Sequence, residues 1–431
     1  MKVLVLGGGG REHALAWRLT RDPEVTDVIV APGNPGPASL GRCVPVDVTD
    51  PAAMLALAER EAVDLTVVGP EAILNQGVAD IFRAAGRPIV GPTRAGAQLE
   101  CSKVFSKNFM VRHRIPTARF VVCERADDAL AVIARGDFGL PVVVKADGLA
   151  AGKGVVVAET AEQANEAIRA AMVDGQFGAA GSTVVIEECL TGPEVSFFAL
   201  CDGVRALPLG TAQDHKRIFD DDRGPNTGGM GAFAPSPLMT PALADDVMRR
   251  VVMPVIDGMR AEGTPYIGFL YAGLMLTPHG PKVIEFNARF GDPEAQVVLP
   301  LIEGSFVTLL AAAAAGDLSR ARLTLSKDCA VGVVMASRGY PASAETGREI
   351  HGLDRAAALP ASLVFHSGTK AQRGHVATAG GRVLTVVGRA ASYDAAMATA
   401  YKAVGEIQFD GMQFRTDIGR KAMARAAEVR A

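Results

Sequence analysis

"MKVLVLGGGGREHA", residues 1–14, runs from an apolar stretch through four glycines into a charged, helix-prone segment. The first half reads as a buried strand, and the glycines supply a tight turn into a helix from Arg11. Backbone N–H groups at such a turn, with the helix dipole behind them and Arg11 beside them, suit an anion. The stretch fits a dinucleotide fingerprint only in part. Gly7 and Gly9 match G-x-G, but Glu12 stands at the third glycine, and "APGN" (31–34) brings no acidic residue for a ribose. A phosphate-bearing ligand, a purely structural turn and a nicotinamide cofactor are the readings left open.

The pattern then repeats. "DVIVAPG" (27–33), a helix from Asp50, "DLTVVGP" (64–70), a helix near Asn75 and "PIVGP" (88–92) alternate strands with helices, which implies a parallel sheet with crossover helices. Ligands of such sheets gather at the carboxyl ends of the strands, here Gly7 to Glu12, Ala31 to Asn34 and Gly69 to Glu71.

At 431 residues the chain is long for one core and reads as two to four domains. Ser102 in "CSKVFSKNFM" caps a helix that opens a second, mixed region; from about Lys327, "CAVGVVMAS", "RVLTVVGRA" and a helix near Ser392 form a third. The expected domains are therefore 1–101, 102–326 and 327–431, with a lid subdomain at about 120–190. Net charge is −3 with no basic block, which argues against a nucleic-acid partner. Six scattered cysteines show neither a disulfide framework nor a zinc spacing, and the N-terminus is too short for a signal-peptide core. With no run of membrane-spanning length, the chain reads as soluble and cytoplasmic.

Four further stretches carry chemistry. "KADGLAAGKGVVV" (145–157) fails the P-loop spacing and is followed by a strand-prone run, so its glycines lie between two strands. Such a flap can lay N–H groups over phosphates with Lys145 as a cation, or it is a flexible hairpin with solvated lysines. "VVIEECLTGPEVS" (184–196) offers a strand end and Glu194, which suit a purine slot and a ribose, or a solvated turn. "QDHKRIFDDDRGPNTGGMGAFAP" (213–235) reads as a long ordered substrate loop without helix or strand, His215 being a hydrogen-bonding residue and not a metal ligand.

The fourth is "KVIEFNARFGDPEAQ" (282–296). As a strand from Val283 to Ala288 it places Glu285, Asn287 and Arg289 on one face and Ile284, Phe286 and Ala288 on the other. This is either a half-buried strand with a solvated Glu–Arg pair or a magnesium site. Magnesium takes one or two side-chain oxygens and completes its shell with water and phosphates. Arg289 could then neutralise a carboxylate or a developing oxyanion.

Taken together, "GGGGREHA", "APGN", "DLTVVGPE", "VGPT", "KADGLAAGKGV", "IEE", "QDHKR", "GPNTGGMGA", "GFLYAGLM", "IEFNARFGDPE" and "HSGTK" resemble, in order and nearly end to end, the phosphoribosylamine–glycine ligase family of the ATP-grasp superfamily. The resemblance implies an α/β and α+β multidomain fold with three parts. These are an N-terminal Rossmann-like parallel-sheet domain, a central ATP-grasp domain with a glycine-rich flap, and a small mixed α/β C-terminal domain. It implies ligation of glycine to 5-phosphoribosylamine with ATP as co-substrate, through a glycyl phosphate, in purine biosynthesis.

By family position, Lys103 and Lys145 contact ATP phosphates under a flap containing Gly148, Gly152 and Gly154. Glu187 and Leu190 meet adenine, and Glu194 meets the ribose. Glu285 and Asn287 hold Mg2+, or Mn2+ in its place. Lys145, Asp214 and Arg289 are the catalytic candidates, Asp214 facing the glycine amino group. Gly9, Arg11, Glu12, Asn34, Glu71 and Asp292 surround the phosphoribosyl group. The strand "YAGLML" (271–276) carries no acidic group where many ATP-grasp enzymes have a further metal ligand. The implied partners are small molecules, and the implied state is a monomer or weak dimer. The nearest rival reading is another ATP-grasp ligase or carboxylase acting on a different acid.

Overall fold

The computed structural model describes residues 1–148 and 154–423. Its first hundred residues form a parallel five-stranded sheet ordered Arg42–Cys43, Asp27–Pro32, Lys2–Gly7, Leu65–Val68 and Ile89–Val90. Leu6 sits level with Ala31 on one side and with Val68 on the other, so the three glycine turns seen in the sequence line up along one edge. Val3, Leu4, Val5 and Leu6 are fully buried, as a strand covered on both faces by helices requires.

A second sheet of eight strands runs in the order Gly280–Asn287, Ile267–Thr277, Glu194–Asp202, Ala206–Asp214, Gly231–Ala234, Cys329–Ala336, Arg382–Ala390 and Ser362–His366. Gly231–Ala234 is its keystone, pairing Asp214 with Ala232 on one side and Val333 with Gly231 on the other. One continuous sheet thus joins the middle of the chain to its C-terminal part, where the helix Tyr393–Glu406 packs on Cys329–Ala336 and Arg382–Ala390.

The glycine-rich stretch 213–235 is not the strandless loop its composition suggests. Besides the keystone strand it contains a hairpin of Arg217–Phe219 and Arg223–Asn226. Residues 415–421 anchor that hairpin: the fully buried Arg415 binds Asp222 at 3.0 Å, Asp417 at 2.6 Å and the Arg217 carbonyl at 3.0 Å.

A separate four-stranded sheet, ordered Phe120–Cys123, Val184–Glu188, Val142–Ala146 and Val155–Ala158, packs on the helices Ala126–Arg135 and Ala161–Met172 around its own small core. Val142–Ala146 and Val155–Ala158 pair antiparallel, so the glycine-rich flap does connect two strands. No described helix is long and apolar enough to cross a membrane.

Candidate active site

The strand Gly280–Asn287 sets the centre. It ends one residue before Ala288, and its register slips: Gly273 pairs with Glu285 while Leu274 pairs with Val283. Ile284 is the extra residue of a bulge, which corrects the simple alternation read from the sequence. Val283 and Phe286 therefore share one core, Ala288 enters another, and Ile284 faces the cleft with Glu285.

Glu285 and Asn287 lie on either side of Phe286, and neither side chain has a hydrogen-bond partner among the described residues. Burial alone would raise the Glu285 pKa, but Lys103, Lys216, Lys145 and Arg289 together pull it below the usual carboxylate range. An ionised carboxylate beside an unpartnered amide fits a divalent cation that takes its remaining ligands from phosphates and water. No group of three or more His, Cys, Asp or Glu arranged around a metal occurs among the described residues.

Lys145, next to last in the strand Val142–Ala146, reaches the Ile284 carbonyl at 3.2 Å and pairs with Glu187. Glu187 also pairs with Lys107, so one buried carboxylate fixes two lysines beside the cleft. Burial, only partly offset by Glu187, lowers the Lys107 pKa to about 8. Lys103 opens the helix Lys103–Arg112 and lines the same cleft; its N-cap Ser102 accepts from Phe105 N at 3.0 Å. Gly148 and Gly154 stand at the ends of the flap, Gly148 with φ +120°, and Gly152 lies outside the described residues. Leu190 follows the strand Val184–Glu188 in the connection to Glu194.

Across the cleft, Lys216 bonds Glu194 at 2.5 Å. Burial opposes its charge, yet Asp214, Glu194 and Glu285 hold its pKa above the ordinary lysine value. Burial, with Glu294 and Glu194 adding repulsion, raises the Asp214 carboxyl. Glu294 accepts from the Tyr271 hydroxyl at 2.9 Å, and that hydroxyl lies 2.8 Å from Ser196 Oγ. His215, read from the sequence as a hydrogen-bonding residue, bonds Gly231 and Met230 only through its backbone; both ring nitrogens are buried without a partner.

Arg289 joins the parts of the molecule. Its guanidinium meets Glu71, at the start of the helix Glu71–Asn75 that follows the strand Leu65–Val68, at 3.0 Å, Glu100 at 2.6 Å and the Phe290 carbonyl at 3.2 Å. Against burial, Arg289 and Arg11 pull the Glu71 pKa down to about 2.

At the first glycine turn, Gly9 N donates to Glu12 Oε2 at 2.6 Å and Arg11 Nε to Glu12 Oε1 at 2.6 Å. The carboxylate of Glu12 thus fills the anion seat that the turn offers, and Gly7, at φ +126°, leaves room for it. Asn34 donates to the Gly8 and His366 carbonyls at 2.9 Å each and accepts from Gly36 N at 2.8 Å, so its amide ties the turn to the C-terminal part. Asp292 sits near Gly9 and 3.4 Å from Arg382, whose guanidinium also binds the carbonyls of Asp292 and Gly228.

The structure therefore brings Lys103, Lys145, Glu187, Glu194, Asp214, Glu285, Asn287 and Arg289 around one cleft, with Gly9, Arg11, Glu12, Asn34, Glu71 and Asp292 along the N-terminal side. It adds Glu100, Lys107, Lys216, Glu294 and Arg382, which sequence reasoning missed. Lys216, inside "QDHKR", and Glu294, at the end of "IEFNARFGDPE", were the two with a signal.

The sequence matches three family models: "Phosphoribosylglycinamide synthetase, N domain" over residues 1–100, its "ATP-grasp (A) domain" over 101–295 and its "C domain" over 330–421. The chain is 51% identical over 435 residues to a phosphoribosylamine–glycine ligase of Xylella fastidiosa, covering all of both chains. It is 48% identical to one of Vibrio parahaemolyticus, over 99% of this chain and 100% of that one. A crystal structure of the Thermotoga maritima phosphoribosylamine–glycine ligase superposes with a TM-score of 0.85 at 33% identity, over 97% of this chain and 100% of that one. The biotin carboxylase domain of a Hydrogenobacter thermophilus 2-oxoglutarate carboxylase, at 16% identity and TM-score 0.73 over 96% and 91% of the two chains, shares the fold alone.

Proposed function

The chain belongs to the phosphoribosylglycinamide synthetase family, and on that premise we propose how its own residues carry the family's reaction. The protein is an ATP-dependent carbon–nitrogen ligase that joins glycine to 5-phosphoribosylamine in de novo purine biosynthesis. It uses ATP and a divalent metal, and we take the metal to be Mg2+, with Mn2+ as a substitute.

The observation that carries the assignment of roles is the unpartnered Glu285–Asn287 pair faced by Lys103, Lys145, Lys216 and Arg289. Glu187 pairs with Lys145, Glu194 with Lys216, and Glu71 and Glu100 with Arg289, so Lys103 is the one of the four with no ion pair among the described residues and is free to meet a phosphate. Glu285 and Asn287 would hold the metal, which would supply positive charge to neutralise the phosphates there. Lys103 and Lys145 steady the phosphates beneath the flap of Gly148, Gly152 and Gly154. Glu187 serves less as an adenine contact than as the carboxylate that orients Lys145 and Lys107. Leu190 borders the base and Glu194 the ribose.

A glycine carboxylate oxygen attacks the γ-phosphorus, the bond to ADP breaks, and a glycyl phosphate forms. Phosphoribosylamine nitrogen then attacks the glycyl carbonyl carbon, the new amide bond forms, a proton leaves that nitrogen, and phosphate departs. Arg289 steadies the oxygens that gain charge, and Asp214 pairs with the glycine ammonium. Gly9, Arg11, Glu12, Asn34, Glu71 and Asp292 shape the wall for the phosphoribosyl group. Enclosure under the flap keeps water from the acyl phosphate. We further read residues 1–101, 102–326 and 327–431 as the functional domains, the protein as a monomer or weak dimer, and its place as the cytoplasm.

Glycine labelled with 18O in its carboxylate tests the chemistry. One labelled oxygen should appear in the released phosphate; label that stays wholly in the amide product and unreacted glycine would rule out the acyl phosphate.

A further inference from the structure

Glu100 lies near the end of the helix Arg94–Cys101, which packs against the strand Gly280–Asn287, and only 5% of its side chain is exposed. One oxygen meets Arg289 Nη2 at 2.6 Å; the other accepts from the backbone N of Ala288 at 2.7 Å. Its two contacts thus grip the residue after Asn287 and the side chain that follows it. Glu71, the other carboxylate on Arg289, approaches Nε from the start of the helix Glu71–Asn75 and is 29% exposed. Glu100 is the more buried of the two and lines the cleft beside Lys103, Lys145 and Glu285.

Burying an ion pair of this kind adds little net stability over an apolar filling of the same shape, because desolvation offsets the attraction. What it does supply is direction. A guanidinium held by a carboxylate on one edge has one orientation left for its other donors. We infer that Glu100 is a positioning residue for the ligase reaction, fixing the Ala288 peptide and the Arg289 guanidinium so that Asn287 and Arg289 keep their aim at the transferred phosphoryl group. Burial raises the Glu100 pKa, which the Arg289 charge and the Ala288 amide counter. The inference rests on the role assigned above to Arg289.

Glu100→Gln removes the charge while keeping the volume and an acceptor for Ala288 N. Turnover, KM for ATP and glycine, and melting temperature are measured for Glu100→Gln, Arg289→Lys and the double variant. Glu100→Gln should lower kcat about 10- to 100-fold with KM for ATP within about twofold and the melting temperature within a few degrees. The double variant should be no slower than Arg289→Lys alone, because the two residues act as one unit. Wild-type kcat in Glu100→Gln beside an impaired Arg289→Lys would overturn the inference, and so would losses that multiply in the double variant. A fall in kcat matched by loss of folded protein would assign Glu100 a structural part only. An unimpaired Arg289→Lys would instead remove the reading of Arg289 itself.

Discussion

Glu285 is an ionised carboxylate with no hydrogen-bond partner among the described residues, buried but held in its charged form by the cations around it, which leaves its oxygens free for a metal ion. Glu285→Gln should therefore reduce turnover by about a hundredfold or more through loss of metal and phosphate binding, and lower thermal stability slightly, because the fold holds this carboxyl below its ordinary pKa. Turnover at saturating Mg-ATP together with a melting curve checks this; near-normal turnover would remove Glu285 from the metal site. Glu285, Asn287 and Arg289 were readable together because one short stretch, the end of the strand Gly280–Asn287 and the two residues after it, carries all three. Glu100 and Lys107 were not. Each is a lone charge on a helix, where charged residues usually face water, and only packing distant in sequence shows them buried against Arg289 and Glu187.

Among the elements, the hairpin Arg217–Phe219 with Arg223–Asn226 escaped notice because its strands are short and one contains Gly224 and Pro225, so no alternation announces them. The Ile284 bulge was hidden for a similar reason: a slip in register leaves no mark in composition. The hairpin begins one residue after Lys216, and Arg415 holds it through Asp222, Asp417 and the Arg217 carbonyl. Arg415→Met would leave two carboxylates without their guanidinium and should cost about 3–5 kcal/mol of stability. Urea unfolding measures the loss. Turnover should fall as well, since Lys216 and Asp214 are carried on the loosened segment; a stable, fully active variant would show that the hairpin does not support the site.

At the scale of the molecule, the parallel sheet and the order of the parts were legible from repeated strand–helix alternation, since each unit carries its own pattern. That the middle and C-terminal parts share one sheet was not, because the connection is a four-residue strand, Gly231–Ala234, inside a glycine-rich stretch. The helix Gly10–Leu19, which follows the first strand, meets the C-terminal part through His13, whose Nδ1 accepts from His366 N at 2.8 Å. Burial lowers the His13 pKa to about 3 and that of His366 to about 4. Both are neutral in the fold, but once unfolded they take up protons below the ordinary value of 6.5, so acid favours the unfolded chain. Their contribution is complete above pH 6.5 and is lost progressively toward pH 3–4. The melting temperature should fall between pH 7 and 5, less steeply in His13→Asn; equal slopes would exclude His13 as a source. On this mechanism the cleft between these parts cleaves ATP only when both co-substrates are in place. ADP release from Mg-ATP, with glycine and freshly generated phosphoribosylamine each omitted in turn, tests that most directly. Release that needs both is the predicted result, and release with neither, or with another acid in place of glycine, would contradict it.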